Sequence, residues 1–415
     1  MTAPDSPPLK PHDPYAALRF RDFRLLMFGR FAASLGEQMV SVAIGWELYE
    51  RTSSALALGL VGLVQIIPVF ALALVAGHIA DRFNRKRIVL VTQLGLSLAA
   101  LSLAAVSAAQ GPLWLVYFIL FSIGVLRSFN NPAASTLLPQ TVPPDTFHSA
   151  ATWSSSAWQL ASVLGPALGG LLIAAFKSAS EIYLLDAIGC LIFVGMIALI
   201  KGRPIAQTRE PMTWATMIAG FSFIRKTRVI MAAITLDLFA VLFGGAVALL
   251  PVYARDILNV GPEGLGLLRT APSIGAMLMV LTIAYLPPFK RAGATLLWAV
   301  VGFGVATIIF GLSTSFILSL LMLVALGAMD NISVVIRSTL LLTRTPDEMR
   351  GRVSAVNNVF IGASNELGAF ESGAVAALGG PIFAVVSGGI GTLIVVGIVM
   401  RVWPEMVKLG KLNEL

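Results

Sequence analysis

Charge is scarce in this chain of 415 residues: 12% of it is Asp, Glu, Lys or Arg, against 57% apolar residues. With a mean hydropathy of +0.86, that balance excludes a soluble globular core and leaves a polytopic membrane protein. Cysteine is nearly absent. The single Cys190 excludes an internal disulfide, and its place in an apolar run reads as inert packing. No paired His or Cys set has the spacing of a metal centre, so no metal is expected. A G-x-x-x-x-G-K-[ST] phosphate loop is missing, as is any soluble stretch large enough for a nucleotide, which excludes an ATP-driven pump and leaves no cofactor to expect. The acids inside apolar runs come without a nucleophile or metal cluster, so an enzyme is not the reading. The first fourteen residues are polar and proline-rich without an apolar core, and no cleavable signal peptide is read there.

What the chain has in abundance is apolar length. A hydrocarbon core of about 30 Å takes roughly 20 helical residues to cross, and twelve runs qualify: 25–49, 55–80, 88–109, 113–134, 150–176, 182–200, 229–253, 264–286, 295–315, 316–342, 353–378 and 381–402. The fold class is therefore an all-α membrane protein of twelve transmembrane helices. A net charge of +8 and a pI near 9.9 point to no nucleic acid, because the bases lie in short loops between spans. With the amino terminus placed inside, 22 of the 29 Lys and Arg fall on the cytoplasmic side and three, Arg51, Lys177 and Arg255, on the outer side. Both termini are thus expected in the cytoplasm.

The chain also repeats. Ser135-Thr136-Leu137-Leu138 recurs as Ser338-Thr339-Leu340-Leu341, and Gly59-Leu60 as Gly266-Leu267, at offsets of 203 to 207 residues. Two six-helix bundles follow, 1–200 and 229–415, joined by a cytoplasmic linker, 201–228. Within it, Trp214, Ile218, Phe221 and Ile224 share one face of a short amphipathic helix, suited equally to the inner membrane surface and to a purely connecting role. Six-span repeats with a substrate site between them describe alternating access.

The most distinctive polar stretch is Gly77-His78-Ile79-Ala80-Asp81-Arg82-Phe83-Asn84-Arg85-Lys86-Arg87, a tight basic hairpin between two spans. Asn84 is expected in a left-handed turn, which Asn tolerates better than most residues. The charges alone equally fit a plain positive-inside loop. The spacing resembles the G-x-L-A-D-R-x-G-R-K loop of the major facilitator superfamily, with Ile79 for Leu and Asn84 for the second Gly. The resemblance implies a cytoplasmic gate formed by Gly77, Asp81, Arg82, Asn84, Arg85, Lys86 and Arg87. In the fifth span, 161–170 carries Gly165, Pro166, Gly169 and Gly170, small residues that let helices approach in lipid. The stretch resembles the G-x-x-x-G-P-x-x-G-G motif of exporters that exchange substrate for protons, with Ala161 for the first Gly. A packing seam is the alternative. Arg127 to Ala133, Leu137-Leu138-Pro139, Leu164-Gly165-Pro166 and Asn365-Glu366-Leu367-Gly368 are similar to the branch of enterobactin exporters and macrolide efflux proteins, which implies efflux.

Charged groups within spans are expensive and mark function by default. Glu37, Glu366, Asp330 and Asp237 are the candidates for proton coupling, Glu37 first and Glu366 second. Arg127 is the cavity charge, offset by 203 residues from Asp330, and Asp237 is a partner for Arg30 at 207. Asp186 and Arg269 are placed near the outer ends, and Glu371 is read as structural. Trp153, Trp158, Phe239, Phe243 and Met277 are candidate substrate contacts, although aromatics in spans usually pack. The expected function is proton-coupled efflux of a small amphipathic compound, drug or siderophore-like, by a monomer in a bacterial inner membrane, with substrate, protons and lipid as its partners. An importer, uniporter or lipid or metabolite transporter without antiport keeps the same fold, and a non-transporting receptor is a third reading.

Overall fold

The computed structural model describes residues 13–201, 214–287 and 289–410. The linker-like start of the central connection falls outside them. Among the described residues thirteen long helices follow one another: α1 Arg21–Thr52, α2 Ala55–Arg82, α3 Arg85–Ala108, α4 Leu113–Ser135, α5 Phe147–Phe176, α6 Ser180–Leu199, α7 Trp214–Lys226, α8 Arg228–Phe243, α9 Gly261–Tyr285, α10 Ala292–Leu312, α11 Phe316–Arg344, α12 Asp347–Gly379 and α13 Pro381–Val402. Several junctions are short, and at some of them caps end the helices sharply. Ser53 (φ 47°) and Lys177 (φ 54°) close α1 and α5 in the left-handed region, and Ser54 Oγ accepts from the Ala57 N–H to start α2.

All but α7 are spans. Ten segments are long and apolar enough to cross a membrane by composition alone. The other two long helices, α1 and α12, run 32 and 33 residues and are diluted by polar and charged side chains, among them Glu37 and Glu366. The seventh span is continuous in composition but broken in structure. After Phe243 the chain passes through Gly244 and Gly245 into a 3-10 stretch, Gly245–Leu249, and a π-turn, Tyr253–Ile257. A side chain on Gly245 would meet the Gly368 carbonyl of α12 at 2.4 Å, so the break is fixed by close backbone approach.

Packing obeys one exchange rule. In the first bundle α1 packs on α5 and α6, α3 on α4 and α6, and α2 on α4. In the second, α8 packs on α12 and α13, α10 on α11 and α13, and α9 on α11. Each set becomes the other when the number rises by seven. The helices that join the bundles obey it too: α2 meets α12, and α9 meets α5. Both crossings run through paired glycines, Gly59 against Gly373 and Gly266 against Gly170, where an added Cβ would stand 2.7–3.1 Å from the partner's Cα. The two six-helix bundles are therefore related by a pseudo-twofold axis.

Helix α7 is docked on the second bundle. Ile224 is fully buried in a cluster with Ile230, Val353 and Val356, and Phe221 stacks on Phe360 at 6.4 Å. Ile218 remains 63% exposed, and the Trp214 side chain lies outside the described residues. Two of the four apolar positions thus dock the helix on α12, because α12 offers an apolar strip that water would otherwise wet.

Candidate transport site

Among the described residues the bundles share an apolar core at one end. The largest apolar cluster mixes residues of both, such as Leu48, Leu120 and Ile173 with Tyr253, Leu265 and Phe310. It lies toward the end opposite the chain termini, here termed the far end. Toward the termini end, each apolar cluster belongs to one bundle. Polar contacts reinforce the far-end closure. The Tyr49 hydroxyl donates to the Asp256 carboxylate, and Arg255 donates to the Tyr49 carbonyl at 3.1 Å and to Ser53 Oγ at 3.3 Å. The Arg255 guanidinium also lies 5.5 Å from the Tyr49 ring centroid. Behind them Glu47 accepts from Tyr183 at 2.8 Å and pairs with Arg51 at 3.2 Å. The Arg51 guanidinium also bonds the Gly111 carbonyl. A recess of about 840 Å³ adjoins this network, with Glu50, Gln110, Lys177 and Glu263 on its walls.

Midway down, the charges gather. Glu37 of α1 pairs with Arg127 of α4 at 2.9 Å, and Arg127 also donates to Gln65 of α2 at 3.0 Å. The Glu37 side chain is 53% exposed and that of Arg127 32%, so the pair lies outside the packed core. Asp186 of α6 abuts α1 at Gly36, where a methyl group would stand 2.5 Å from its carboxylate. From the other bundle Glu366 of α12 leans over Gly62 of α2, within Coulombic reach of Arg127 and Arg269. Asp186, within Coulombic reach of Glu37 and Arg127, and Arg269, within reach of Glu366, are therefore members of the central charge cluster. Among the described residues Glu366, Asp330, Asp186, Arg269 and Arg30 make no hydrogen bond or ion pair.

One pairing expected from the repeat does not occur: Asp237 pairs with Arg337 of α11, not with Arg30. Arg127, the repeat mate of Asp330, is bonded to Glu37 and Gln65. The Asp237–Arg337 pair is buried, with side chains 9% and 5% exposed. The physical reason is that repeat mates occupy equivalent places on either side of the axis, which are adjacent only close to it. Glu371 accepts from the neighbouring Ser372 at 3.4 Å.

The aromatic candidates scatter. Trp153 donates to the Pro14 carbonyl at 2.9 Å and lies against Tyr15, so its ring is committed to the amino-terminal segment. Phe239 and Phe243 stack on each other at 6.2 Å, and the Phe243 ring packs on Gly391 of α13. Trp158 and Met277 are exposed, at 54% and 39%.

At the termini end the α2–α3 hairpin is tight, but Asn84 is not left-handed. It has φ −63° and ψ 112° and caps α3, its side chain accepting from the Lys86 and Arg87 N–H groups. The turn is thus solved by a cap instead of a positive φ. Gly77 is buried, and Arg82, Asn84 and Arg87 are exposed. Lys86 donates to the carbonyls of Ala198 and Ile200 at the end of α6, tying the hairpin to its own bundle. Arg85 is half-buried. The Asp81 side chain lies outside the described residues. The small-residue motif of α5 splits its faces: Gly165 and Gly169 sit against α1, while Pro166 and Gly170 sit against Gly266 of α9.

Glu47, Tyr49, Tyr183, Asp256 and Gln65 were not singled out by the sequence. Tyr49 and Asp256 carried one usable signal, an offset of 207 residues, the same as between Gly59 and Gly266.

Exchange-related six-helix bundles, closed at one end around a charged, partly exposed middle, define a membrane transporter of the major facilitator fold. A family model described as transmembrane secretion effector matches residues 12–411. The chain is 26% identical over 388 residues to the enterobactin exporter EntS of Escherichia coli O1:K1, covering 92% of each, and matches EntS of Shigella boydii serotype 18 to the same extent. Among solved structures, the nucleoside transporter NupG superposes with a TM-score of 0.74 at 12% identity, over 92% of this chain and 100% of that one. A bacterial homologue of the human lysosomal transporter Spinster, inward-facing and occupied, gives 0.73 at 12% identity over 95% and 99%. The chain belongs to the transmembrane secretion effector family of the major facilitator superfamily.

Proposed function

We propose that this protein is a proton-coupled exporter of a small amphipathic organic compound, drug-like or siderophore-like, working by alternating access as a monomer in a bacterial inner membrane. The observation that carries the reading is the Glu37–Arg127 pair: a carboxylate and its counter-ion, partly exposed, at mid-depth, with Glu366 of the other bundle within Coulombic reach of Arg127. An intramembrane acid that water reaches from one side and a base holds is suited to exchanging a proton. Protonation of Glu37 removes its attraction for Arg127 and frees the guanidinium. Asp237, engaged with Arg337 in a buried pair, is better suited to holding α8 on α11.

Direction is supported by the match to a family of secretion effectors and by the names of its EntS relatives. The bias of bases toward the termini end supports a cytoplasmic location for both termini. In that orientation the closed far end is outside, and the described arrangement is inward-facing. Residues 1–200 then rock against 229–415, with the hairpin around Asp81 latching the opposite, outward-open arrangement.

The test is transport in proteoliposomes with and without a pH gradient, for wild type beside Glu37→Gln and Glu366→Gln. If one variant still exchanges substrate down its gradient but loses acceleration by the pH gradient, that acid carries the coupling. Wild-type transport indifferent to the gradient would falsify proton antiport.

A further inference from the structure

Arg30 is a cation within a span that makes no hydrogen bond or ion pair among the described residues, although a charge at such depth normally finds one. It precedes Glu37 by seven residues on α1, two turns on the same face, about 10 Å along the axis. It therefore opens into the space that the Glu37–Arg127 pair faces, and it lies within Coulombic reach of Glu37. Beside it α1 and α5 form a narrow cleft shared by Arg30, Phe31, Ser34, Ser154 and Trp158. The cleft itself is small, with room for about one water molecule. Arg30 of α1 and Trp158 of α5 both line it, with Ser34 and Ser154, and the indole is 54% exposed.

We propose that Arg30 and Trp158 form a substrate subsite for an aromatic ring bearing an anionic oxygen, such as an aryl carboxylate or a phenolate. The ring lies on the exposed indole, and its oxygens accept from the guanidinium fork. Arg suits this task because its planar donors match paired oxygens and stay charged at every working pH. An indole face contributes stacking whatever the charge of the ring. The assignment rests on the reading that substrate passes through the central cavity, and it narrows the substrate class.

Equilibrium binding of 2-naphthoate and of the uncharged 2-naphthylmethanol to the purified full-length protein in nanodiscs separates the contributions. Arg30→Gln is expected to weaken naphthoate by about tenfold while leaving naphthylmethanol within about twofold, and Arg30→Lys to recover part of the loss. Trp158→Ala is expected to weaken both probes by a similar factor. Equal weakening of both probes by Arg30→Gln, or wild type binding naphthoate no more tightly than the alcohol, overturns the subsite. Binding needs no gradient, so this failure leaves proton coupling standing, and transport indifferent to pH leaves the subsite standing.

Discussion

Tyr49→Phe removes one hydroxyl and should shift which end of the protein is open. The Tyr49 side chain is buried and fits a Phe ring without a cavity, so the change isolates the bond to Asp256. A hydrogen bond to a charged acceptor contributes about 1.5–3 kcal/mol net. The Asp256 side chain is 50% exposed and rehydrates when released, which selects the lower figure. About 1.4 kcal/mol is tenfold in an equilibrium constant, so the ratio of far-end-closed to far-end-open molecules should fall roughly tenfold. Arg255 keeps its hold on the Tyr49 carbonyl and on Ser53. Adding Arg255→Met should therefore move the ratio further, by less than a second independent factor because the two arms share Tyr49. The assay is a spin-label distance in a Cys190→Ala background, with labels at Phe83 and Tyr285, exposed positions at the termini ends of α2 and α9. Closure of that end brings them together. A folded Tyr49→Phe variant whose distance distribution matches wild type would refute the assignment of this contact as a lock.

Gly170→Ala places a methyl group 2.4 Å from the Pro262 carbonyl oxygen and 2.8 Å from the Gly266 Cα, neither of which can swing aside. Overpacking of this kind costs about 1–3 kcal/mol, so the same label pair should report a shift toward the far-end-open form with normal expression. Asp237→Leu leaves Arg337 charged and buried, a loss of about 3–5 kcal/mol. Thermal unfolding in detergent should show a lower midpoint, largely restored by Asp237→Leu with Arg337→Met. Lys86→Met removes the donors to the last carbonyls of α6 at a partly exposed site, and a smaller loss of about 1 kcal/mol should appear in the same melt.

Spans were legible in the sequence because lipid demands apolar length: eleven of the twelve runs fall on helices whose ends differ from the reading by a few residues, and the seventh, 229–253, outruns α8, which ends at Phe243. The break after Phe243 was not, since Gly244 to Val252 is as apolar as the helix before it and only close approach to α10 and α12 explains the bend. Glu37 and Arg127 stood out by the cost of charge in a span. Their partnership did not, because it depends on how α1 and α4 are turned toward each other. Repeat arithmetic suggested one contact wrongly, since Asp237 pairs with Arg337 and not with its repeat mate Arg30.

The same arithmetic explains where the exception must fall. A residue can touch its own repeat mate only if both lie next to the pseudo-twofold axis, since the distance between mates is twice the distance of each from that axis. Tyr49 and Asp256, 207 residues apart, do touch, so the axis passes beside them at the far end, and any rocking of one bundle on the other must separate them. The Glu37–Arg127–Gln65 set lies wholly within the first bundle and is carried along intact. Rigid rocking therefore cannot pull Glu37 from Arg127. What it changes is the company of Arg127: Glu366 and Arg269 belong to the other bundle and move relative to it. If Glu37 exchanges protons, the trigger is the altered field and water access around an unbroken pair. It follows that Tyr49→Phe should move the conformational ratio while leaving the charge pair in place, whereas Glu37→Gln should alter pH dependence while leaving the far-end lock formed. A Glu37→Gln variant whose spin-label distances shift as far as those of Tyr49→Phe would show that the two devices are mechanically one.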